Sequence, residues 1–358
     1  MDASGPSRLS PTSMTLSPST RRRTIRPPGL PWHSRRRRVA PFDHLLLSPD
    51  DSIAGELPEL AAEMHTLADG EANALAYTSL LVAFRGLAGV RRTSVTGSGG
   101  EVARGFYWRA LARREEPHRR GVSLERLIGR VTRDSGSIPG AIRRDVVEID
   151  ALLHGLLETF VSSSPLQTPH AILDDFYLRT RMRRFAGRNI TTTGLFCLQA
   201  VPFFSHHVTD CALALPVDQK RDSRAIREAV AAFHPGLAAV PLASGGVVPP
   251  LSYRHPFRAV RRAAGLGRKG ISRYGGALGR RIVHAPEPSM PWQQIASDAQ
   301  FREYVGDLLL AREARTASLL ERQALTSLVE GGLADASLYP LGLVLTVELT
   351  LRKFGLTV

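Results

Sequence analysis

The residues with the clearest chemical potential lie in a glycine-rich segment, Gly97-Ser98-Gly99-Gly100-Glu101. The segment follows a short β-branched run and precedes a helical pattern, and this order is typical of an α/β unit. Glycines let the backbone adopt positive φ and approach a ligand closely, and free N–H groups ahead of a helix favour anions. Glu101 lies in the first helical turn, where it would cap the helix or face a ligand. A tight structural turn and a binding loop both fit this pattern.

A second group of potential ligands lies just after the middle of the chain. His206 with Asp210, and His207 with Cys211, are spaced i,i+4, so each pair would share a helix face. Each face offers only two ligands, so the pattern favours a supporting role in the core and predicts no metal site. Cys197 and Cys211 are the only cysteines and form no CxxC pair. Their apolar surroundings predict buried thiols in a reducing compartment.

Positive charge is concentrated in two segments of this 358-residue chain, whose formal net charge is +14. Residues 1–50 are predicted to form a disordered basic N-terminal segment, because they hold few large apolar side chains. Three interpretations of it remain open: an arm for nucleic acid or anionic surfaces, a transit peptide, or a start that is not native. Residues 256–292 are predicted to form a basic, Gly- and Pro-rich flexible insertion. Its scarcity of aromatic side chains argues against nucleic-acid binding.

Apolar periodicity predicts that most of the remaining chain is helical. A short strand is predicted at residues 91–96, where β-branched side chains are frequent. No run of about 18 uncharged apolar residues occurs, so no membrane span is predicted. Helices are predicted at residues 57–65, 71–87, 123–132, 141–160, 171–185, 297–328 and 339–354.

The segment from Val95 to Tyr107 resembles the second signature of the asparagine synthetase family, Ser-Gly-Glu-Gly-Ala-Asp-Glu followed by Gly-Gly-Tyr. Other segments resemble elements of that family in the same order and with similar spacing. They are residues 57–60 and 72–77 before the strand, residues 201–205 (Pro-Phe-Leu-Asp), residues 213–216 with Lys220 (Leu-Ser-Leu-Pro-x-x-x-Lys), residues 224–227 (a basic helix) and residues 345–349 (a final Leu-Thr-Leu-Glu helix).

The resemblance implies an α/β, mainly helical domain over residues 51–358. It would be a remnant of the adenine-nucleotide alpha-hydrolase-like parallel sheet, with a large helical C-terminal part. The implied activity is that of a glutamine-hydrolysing asparagine synthase-like ligase, in which ATP and magnesium activate a small carboxylate before an amine attacks it. Gly97, Ser98, Gly99 and Gly100 would bind the cofactor, and Glu101 and Ser98 would be catalytic. The implied partner is a separate glutaminase or ATP-loop-bearing chain in the cytoplasm.

The sequence also departs from the family at positions that carry the chemistry. The phosphate loop Ser-Gly-Gly-x-Asp-Ser and the amino-terminal catalytic cysteine do not occur in the chain, which predicts a truncated or degenerate enzyme. Ser98 and Val102 replace glutamates of the signature, and Glu101 replaces its aspartate. Residues 240–246 lack the family's catalytic lysine, and Ala200 replaces an arginine. A second hypothesis is therefore a non-catalytic interaction protein on the same scaffold, whose basic segments contact an acidic partner.

Overall fold

The computed structural model describes residues 53–88, 92–115, 118–133, 138–143, 148–240, 292–334 and 338–356. The basic N-terminal segment predicted at residues 1–50 and the insertion predicted at residues 256–292, except residue 292, lie outside the described residues. Within these ranges the chain is mainly helical and contains a two-stranded parallel sheet. The prediction of an α/β, mainly helical protein is therefore confirmed.

The first part of the described chain contains both strands and the helices between them. Helices α1 to α5 span Ile53–Leu67, Thr78–Ala88, Leu124–Val131, Ile138–Ala141 and Ile149–Ser163. Helix α6 spans Pro169–Tyr177 and continues through a π-helical stretch, Leu178–Ala186, into α7 at Gly187–Gly194. Strand β1 spans Thr93–Val95 and β2 spans Leu198–Ala200, and 3₁₀ turns lie at Gly100–Arg104, Trp108–Ala110 and Pro202–Phe204.

The chain after β2 continues as helices joined by short turns. Helices α8 to α11 span His206–Ala214, Val217–Lys220, Arg224–Phe233 and Pro235–Ala238. Helices α12 to α15 span Trp292–Ser297, Ala299–Leu309, Arg322–Ala334 and Leu338–Lys353, and 3₁₀ turns lie at Arg221–Ser223 and Arg315–Ser318. Among the helices of the described ranges, none combines the length and the apolar character that crossing a membrane requires.

The larger hydrophobic core joins α1 to the last four helices. Leu57, Leu60, Ala61 and Met64 fall at i, i+3, i+4 and i+7 of α1, and each is at most 2% exposed. They belong to one buried cluster with side chains of α12 to α15, of which Phe301 is the largest that is fully buried. The two ends of the described chain therefore fold against each other.

A buried carboxylate fixes the turn that precedes α14. Glu348 of α15 is 0% exposed, and its side chain accepts hydrogen bonds from the backbone N–H groups of Thr316 at 2.7 Å and Arg315 at 3.1 Å. Arg352 donates to the same carboxylate at 2.6 Å. Because these N–H groups begin a 3₁₀ turn and have no partner within it, Glu348 acts as its cap.

The smaller hydrophobic cluster lies directly beneath the glycine-rich segment. Val102, which is 1% exposed, and Tyr107 pack in it with Phe176 and Tyr177 of α6 and with Ala212 of α8. The rings of Tyr107 and Phe176 meet edge to face at 5.0 Å between centroids. Val102 is thus a core residue at the position where the family signature has a glutamate.

The two strands pair in parallel, with Thr93 opposite Leu198 and Val95 opposite Ala200. Parallel pairing requires a crossover connection, and α3 to α7 provide it here. Thr93, Val95 and Leu198 share one face of the sheet and are exposed. The exposed fractions of Val95 and Leu198 are 73% and 69%, so this face of the sheet has little cover among the described residues.

The structure corrects several boundaries predicted from the sequence. The helix predicted over residues 71–87 begins only at Thr78, since Asn73 accepts a hydrogen bond from the backbone of Ala76 at 2.8 Å and holds a turn there. The helix predicted over residues 141–160 is interrupted, because Ile142 pairs in an antiparallel bridge with Leu320. The helix predicted over residues 297–328 is divided into α13 and α14 by the turn that Glu348 caps.

The remaining predicted helices are confirmed within a few residues. Ser123 accepts a hydrogen bond from the backbone of Arg126 and caps α3, where the sequence predicted a helix at residues 123–132. The helix predicted at residues 171–185 is observed as α6 and its π-helical continuation. Of the two thiols predicted to be buried, Cys197 is buried but Cys211 is exposed, because Cys211 lies on the solvent side of α8.

Candidate functional site

The glycine-rich segment forms a tight turn at the carboxyl end of β1. The backbone N–H of Thr96 donates to the carbonyl of Ala200 at 3.0 Å, so the strand pairing extends to the first residue of the turn. The N–H of Gly100 donates to Gly97 at 3.3 Å and the N–H of Val102 donates to Gly99 at 3.2 Å. These two amides are used inside the turn, and fewer N–H groups face solvent than the sequence predicted.

The requirement for glycine differs among the three glycine positions of the turn. Gly99 has φ of 91°, and a Cβ at this position would lie 2.5 Å from the ring of Phe204. Neither the backbone conformation nor the aromatic contact tolerates a side chain there. A Cβ on Gly100 would make an ordinary 3.6 Å contact with Phe203, and a Cβ on Gly97 would meet no atom within 4 Å. Gly99 is therefore required by packing, whereas Gly97 faces open space.

Ser98, which was predicted to be catalytic, lies at the half-exposed surface of this turn. Its hydroxyl lies 2.9 Å from the hydroxyl of Thr96, and its backbone N–H donates to the same Thr96 oxygen at 3.3 Å. A hydroxyl beside a second hydroxyl is not activated as a nucleophile, since activation requires a base that accepts its proton. The geometry gives Ser98 a role in shaping the turn.

Glu101, the predicted catalytic carboxylate, is held by two partners. Tyr177 of α6 donates its hydroxyl hydrogen bond to one carboxylate oxygen at 3.0 Å, and Arg104 contacts the other at 3.2 Å. Burial raises the pKa of the Tyr177 phenol, and the nearby charge of Glu101 raises it further, so Tyr177 remains a donor. The Glu101 side chain is 31% exposed, which leaves its carboxylate partly accessible from solvent.

A buried ion pair lies near the same helix and was not found from the sequence. Lys220 Nζ lies 2.7 Å from Asp174 Oδ2, and the two side chains are only 3% and 6% exposed. Trp108 donates its indole N–H to the other Asp174 oxygen at 3.0 Å, and the ring of His170 stacks edge-on against Trp108. Burial raises the pKa of Asp174, and the Lys220 ammonium opposes that rise.

One signal for this pair was present in the sequence. Lys220 lies in the segment that resembles the family's Leu-Ser-Leu-Pro-x-x-x-Lys stretch. That resemblance draws attention to the lysine but does not indicate which residue it pairs with. Asp174 lies three residues before Tyr177 on α6, so the two side chains point to the same side of the helix. Helix α6 therefore positions both the Lys220 ammonium and the Glu101 carboxylate.

A basic cleft of about 420 Å³ lies on α7 and the end of the π-helical stretch. Its charged lining residues are Arg183, Arg184, Arg188 and Glu71. Arg184 and Arg188 each contact a different oxygen of Glu71, at 2.7 and 2.6 Å, and Arg188 also pairs with Asp69. Two of the three arginines in this cleft are therefore neutralised by acidic side chains.

The two i,i+4 pairs predicted as candidate ligands lie on the surface. His206, His207, Asp210 and Cys211 are all exposed on α8, so they do not support the core as the sequence suggested. In the ranges covered by the structure, no group of three His, Cys, Asp or Glu side chains is arranged to hold a metal ion.

The residues around the glycine turn do not by themselves fit a triphosphate with magnesium. Two turn amides are used internally, and the carboxylate of Glu101 has a protein partner on each oxygen. A magnesium ion bound with phosphates needs free carboxylate or hydroxyl oxygens close to them. No step through ATP is therefore assigned to the described residues of this chain alone.

No family model, curated protein or solved structure matches the chain.

Proposed function

We propose that the chain is the synthetase-like part of an ATP-dependent, amide-forming ligase that resembles asparagine synthetase. The observation that carries the proposal is the parallel pair of β1 and β2, in which each strand runs directly into a turn at the same end. In open parallel sheets, ligands bind beyond the carboxyl ends of the strands. The glycine turn and the Pro202–Phe204 turn meet at this end through the contact of Phe204 with Gly99.

The exposed face of the sheet supports the idea that another polypeptide segment completes the enzyme. Parallel sheets are normally covered on both faces, and a two-stranded sheet is marginal by itself. Within the part of the chain that the structure describes, Val95 and Leu198 nevertheless expose 73% and 69% of their surface. An ATP-loop-bearing chain that packs on this face of the sheet would cover them and would bring the missing phosphate loop and magnesium ligands to the glycine turn.

The substrate in this proposal is a small carboxylate, which is activated by ATP and then attacked by an amine. An ionised glutamate repels a carboxylate unless a cation lies between them. Arg104, whose side chain is 44% exposed, contacts Glu101 and supplies that positive charge. Glu101 and Arg104 together would orient the substrate, and the backbone at Gly97 and Ser98 would line the open side of the site.

A second function is favoured by the closed geometry of the turn. Phe204 packs against Gly99, and both oxygens of Glu101 have protein partners, as expected of a structural element. In this alternative the scaffold serves a non-catalytic interaction protein, and its basic residues contact an acidic partner. The basic segments predicted for that contact lie mostly outside the described residues.

The two functions are separated by calorimetric titration of the full chain with ATP and magnesium. Because another chain would supply the phosphate loop and magnesium ligands, the ligase proposal expects weak but saturable binding by this chain alone. Glu101→Gln should weaken that binding further, by at least about tenfold, as for the loss of a charge-assisted contact. Glu228→Gln is the matched control, because Glu228 pairs with Arg224 on the exposed surface of α10. It should leave ATP binding unchanged.

Two results would reject the ligase proposal for this chain. One is the absence of any ATP binding to wild-type protein that is folded by circular dichroism. The other is equal binding by wild type and Glu101→Gln, which would place the nucleotide elsewhere. Saturable binding of a poly-glutamate peptide by the same preparation would then support the interaction protein.

A further inference from the structure

Three arginines from three separate elements converge on one aromatic ring. The guanidinium carbons of Arg130, Arg181 and Arg104 lie 4.6, 4.9 and 5.9 Å from the centroid of the Phe106 ring. Arg130 comes from α3, Arg181 from the π-helical stretch and Arg104 from the 3₁₀ turn that follows the glycine segment. Arg181 is also held by Phe185, with 4.3 Å between its guanidinium carbon and that ring.

Acidic side chains neutralise little of this charge. Arg104 pairs with Glu101, but no ion pair of Arg130 or Arg181 occurs within the ranges that the structure describes. The buried Nε of Arg130 has no hydrogen-bond partner there. Burial lowers the pKa of Arg130, and the positive charges of Arg133, Arg109 and Arg181 lower it further.

Such a cluster is costly unless an anion occupies it. Guanidiniums that share a partly buried site repel one another, and each unmet N–H group retains its cost of desolvation. Contact with an aromatic ring occupies the flat face of a guanidinium and leaves the N–H groups at its edge free. Those edges match the oxygens of a phosphate group, to which arginine donates two parallel hydrogen bonds.

We propose that Arg104, Arg130 and Arg181, gathered around Phe106, form a binding site for a phosphoanhydride such as pyrophosphate or the phosphate chain of a nucleotide. The site lies beside the Glu101 carboxylate, since Arg104 both pairs with Glu101 and lies over the Phe106 ring. It does not depend on ligase activity, because its ligand is bound by charge and by N–H donors alone.

The basic cleft on α7 is a weaker candidate for the same ligand. Arg184 and Arg188 already bind Glu71, and Arg188 also binds Asp69, so an anion would have to displace these acids. Arg183 is exposed in the same stretch of chain as Arg181 but is not among the arginines around Phe106. Arg183→Gln therefore distinguishes the two sites, because binding at Phe106 predicts little change in affinity and binding in the cleft predicts a loss.

The test is calorimetric titration of the full chain with sodium pyrophosphate in the absence of magnesium. Wild type should bind pyrophosphate saturably, and Arg181→Gln and Arg130→Gln should each weaken binding by about tenfold or more. Arg183→Gln should change the affinity by less than about twofold, because an exposed charge outside the site is screened. Arg181→Lys keeps the charge but loses the paired donors, so it should fall between wild type and Arg181→Gln.

Titrations with ATP and with AMP identify the source of the phosphate chain. Equal affinities for pyrophosphate and ATP indicate a site that recognises only the phosphoanhydride group. Tighter binding of ATP together with competition by AMP indicates a nucleotide, and both results retain the proposal. Glu101→Gln separates this site from the ligase proposal: removal of that negative charge should preserve or strengthen magnesium-free pyrophosphate binding, whereas the ligase proposal expects it to weaken binding of ATP with magnesium.

Two results would overturn the anion site. The first is the absence of pyrophosphate binding by folded wild-type protein. The second is an equal loss of affinity in Arg183→Gln and Arg181→Gln, which would indicate a diffuse basic surface. Circular dichroism of each variant checks its fold, and Arg181→Lys replaces Arg130→Gln as the second variant if the latter fails to fold.

Discussion

Removal of the buried Lys220 ammonium should destabilise the protein strongly. In Lys220→Met, the Asp174 carboxylate keeps the hydrogen bond from Trp108 but loses the cation that lies 2.7 Å away in a site where both side chains are almost fully buried. Breaking a buried ion pair on one side costs about 3–5 kcal/mol, because an uncompensated charge remains. We expect a loss of this size in the free energy of unfolding at neutral pH.

The loss in the free energy of unfolding caused by Lys220→Met should also depend on pH, and it should be smaller at lower pH. Burial already raises the pKa of Asp174, and Lys220 opposes that rise, so the pKa should rise further without the lysine. When the pKa of a carboxyl is higher in the folded than in the unfolded protein, the free energy of unfolding falls as pH rises between the two pKa values. The cost of Lys220→Met should therefore shrink by about 1.4 kcal/mol for each pH unit below the raised pKa of the variant, until the pKa of Asp174 in the folded wild type is reached.

Urea unfolding followed by circular dichroism at several pH values measures both effects. Lys353→Met is the control, since Lys353 is exposed at the end of α15, and it should change stability by less than about 0.5 kcal/mol. The double variant Asp174→Leu/Lys220→Met should recover most of the loss, because it leaves no buried charge. A loss below about 1 kcal/mol in Lys220→Met, or a loss that does not change with pH, would refute the reasoning.

Two further predictions concern the glycine turn and the carboxyl-terminal helix. Gly99→Ala should cost about 1–3 kcal/mol in urea unfolding because of its positive φ and the aromatic contact. Gly97→Ala should stay within about 0.5 kcal/mol, and equal losses at both positions would contradict the packing argument. Burial alone would raise the pKa of Glu348, but hydrogen bonds from Arg352 and from backbone N–H groups lower it overall. Its contribution to stability should therefore be lost as pH falls below the ordinary carboxyl pKa, and Glu348→Gln should flatten this part of the pH profile of unfolding.

The parts of the fold that the sequence predicted are those that local patterns determine. β-Branched Thr93 and Val95 next to glycines predicted β1, and the apolar spacing of α1 matches its buried face. Ser123 is a helix cap whose effect reaches only a few residues, so the start of α3 was also predictable. These features are determined by residues a few positions apart in the chain, so they can be predicted from one sequence.

The parts that the sequence did not predict depend on distant partners. The division between α13 and α14 is fixed by Glu348, whose carboxylate binds the backbone of Thr316 more than thirty positions earlier. Helical periodicity continues across that boundary and carries no sign of the hydrogen bonds that interrupt it. Asp174 likewise belongs to an ordinary amphipathic pattern, and only its contact with Lys220 makes it notable.

Two of the segments that resemble the asparagine synthetase family, residues 95–107 and 201–205, are far apart in sequence but meet in space. The glycine turn contacts Phe203 and Phe204 of the segment at residues 201–205, and Lys220 reaches α6, which also holds Glu101 through Tyr177. The ligase proposal requires such a meeting, whereas the packing of Phe204 against Gly99 and the lack of ion pairs at Arg130 and Arg181 within the described residues place the proposed anion site around Phe106, beside the turn.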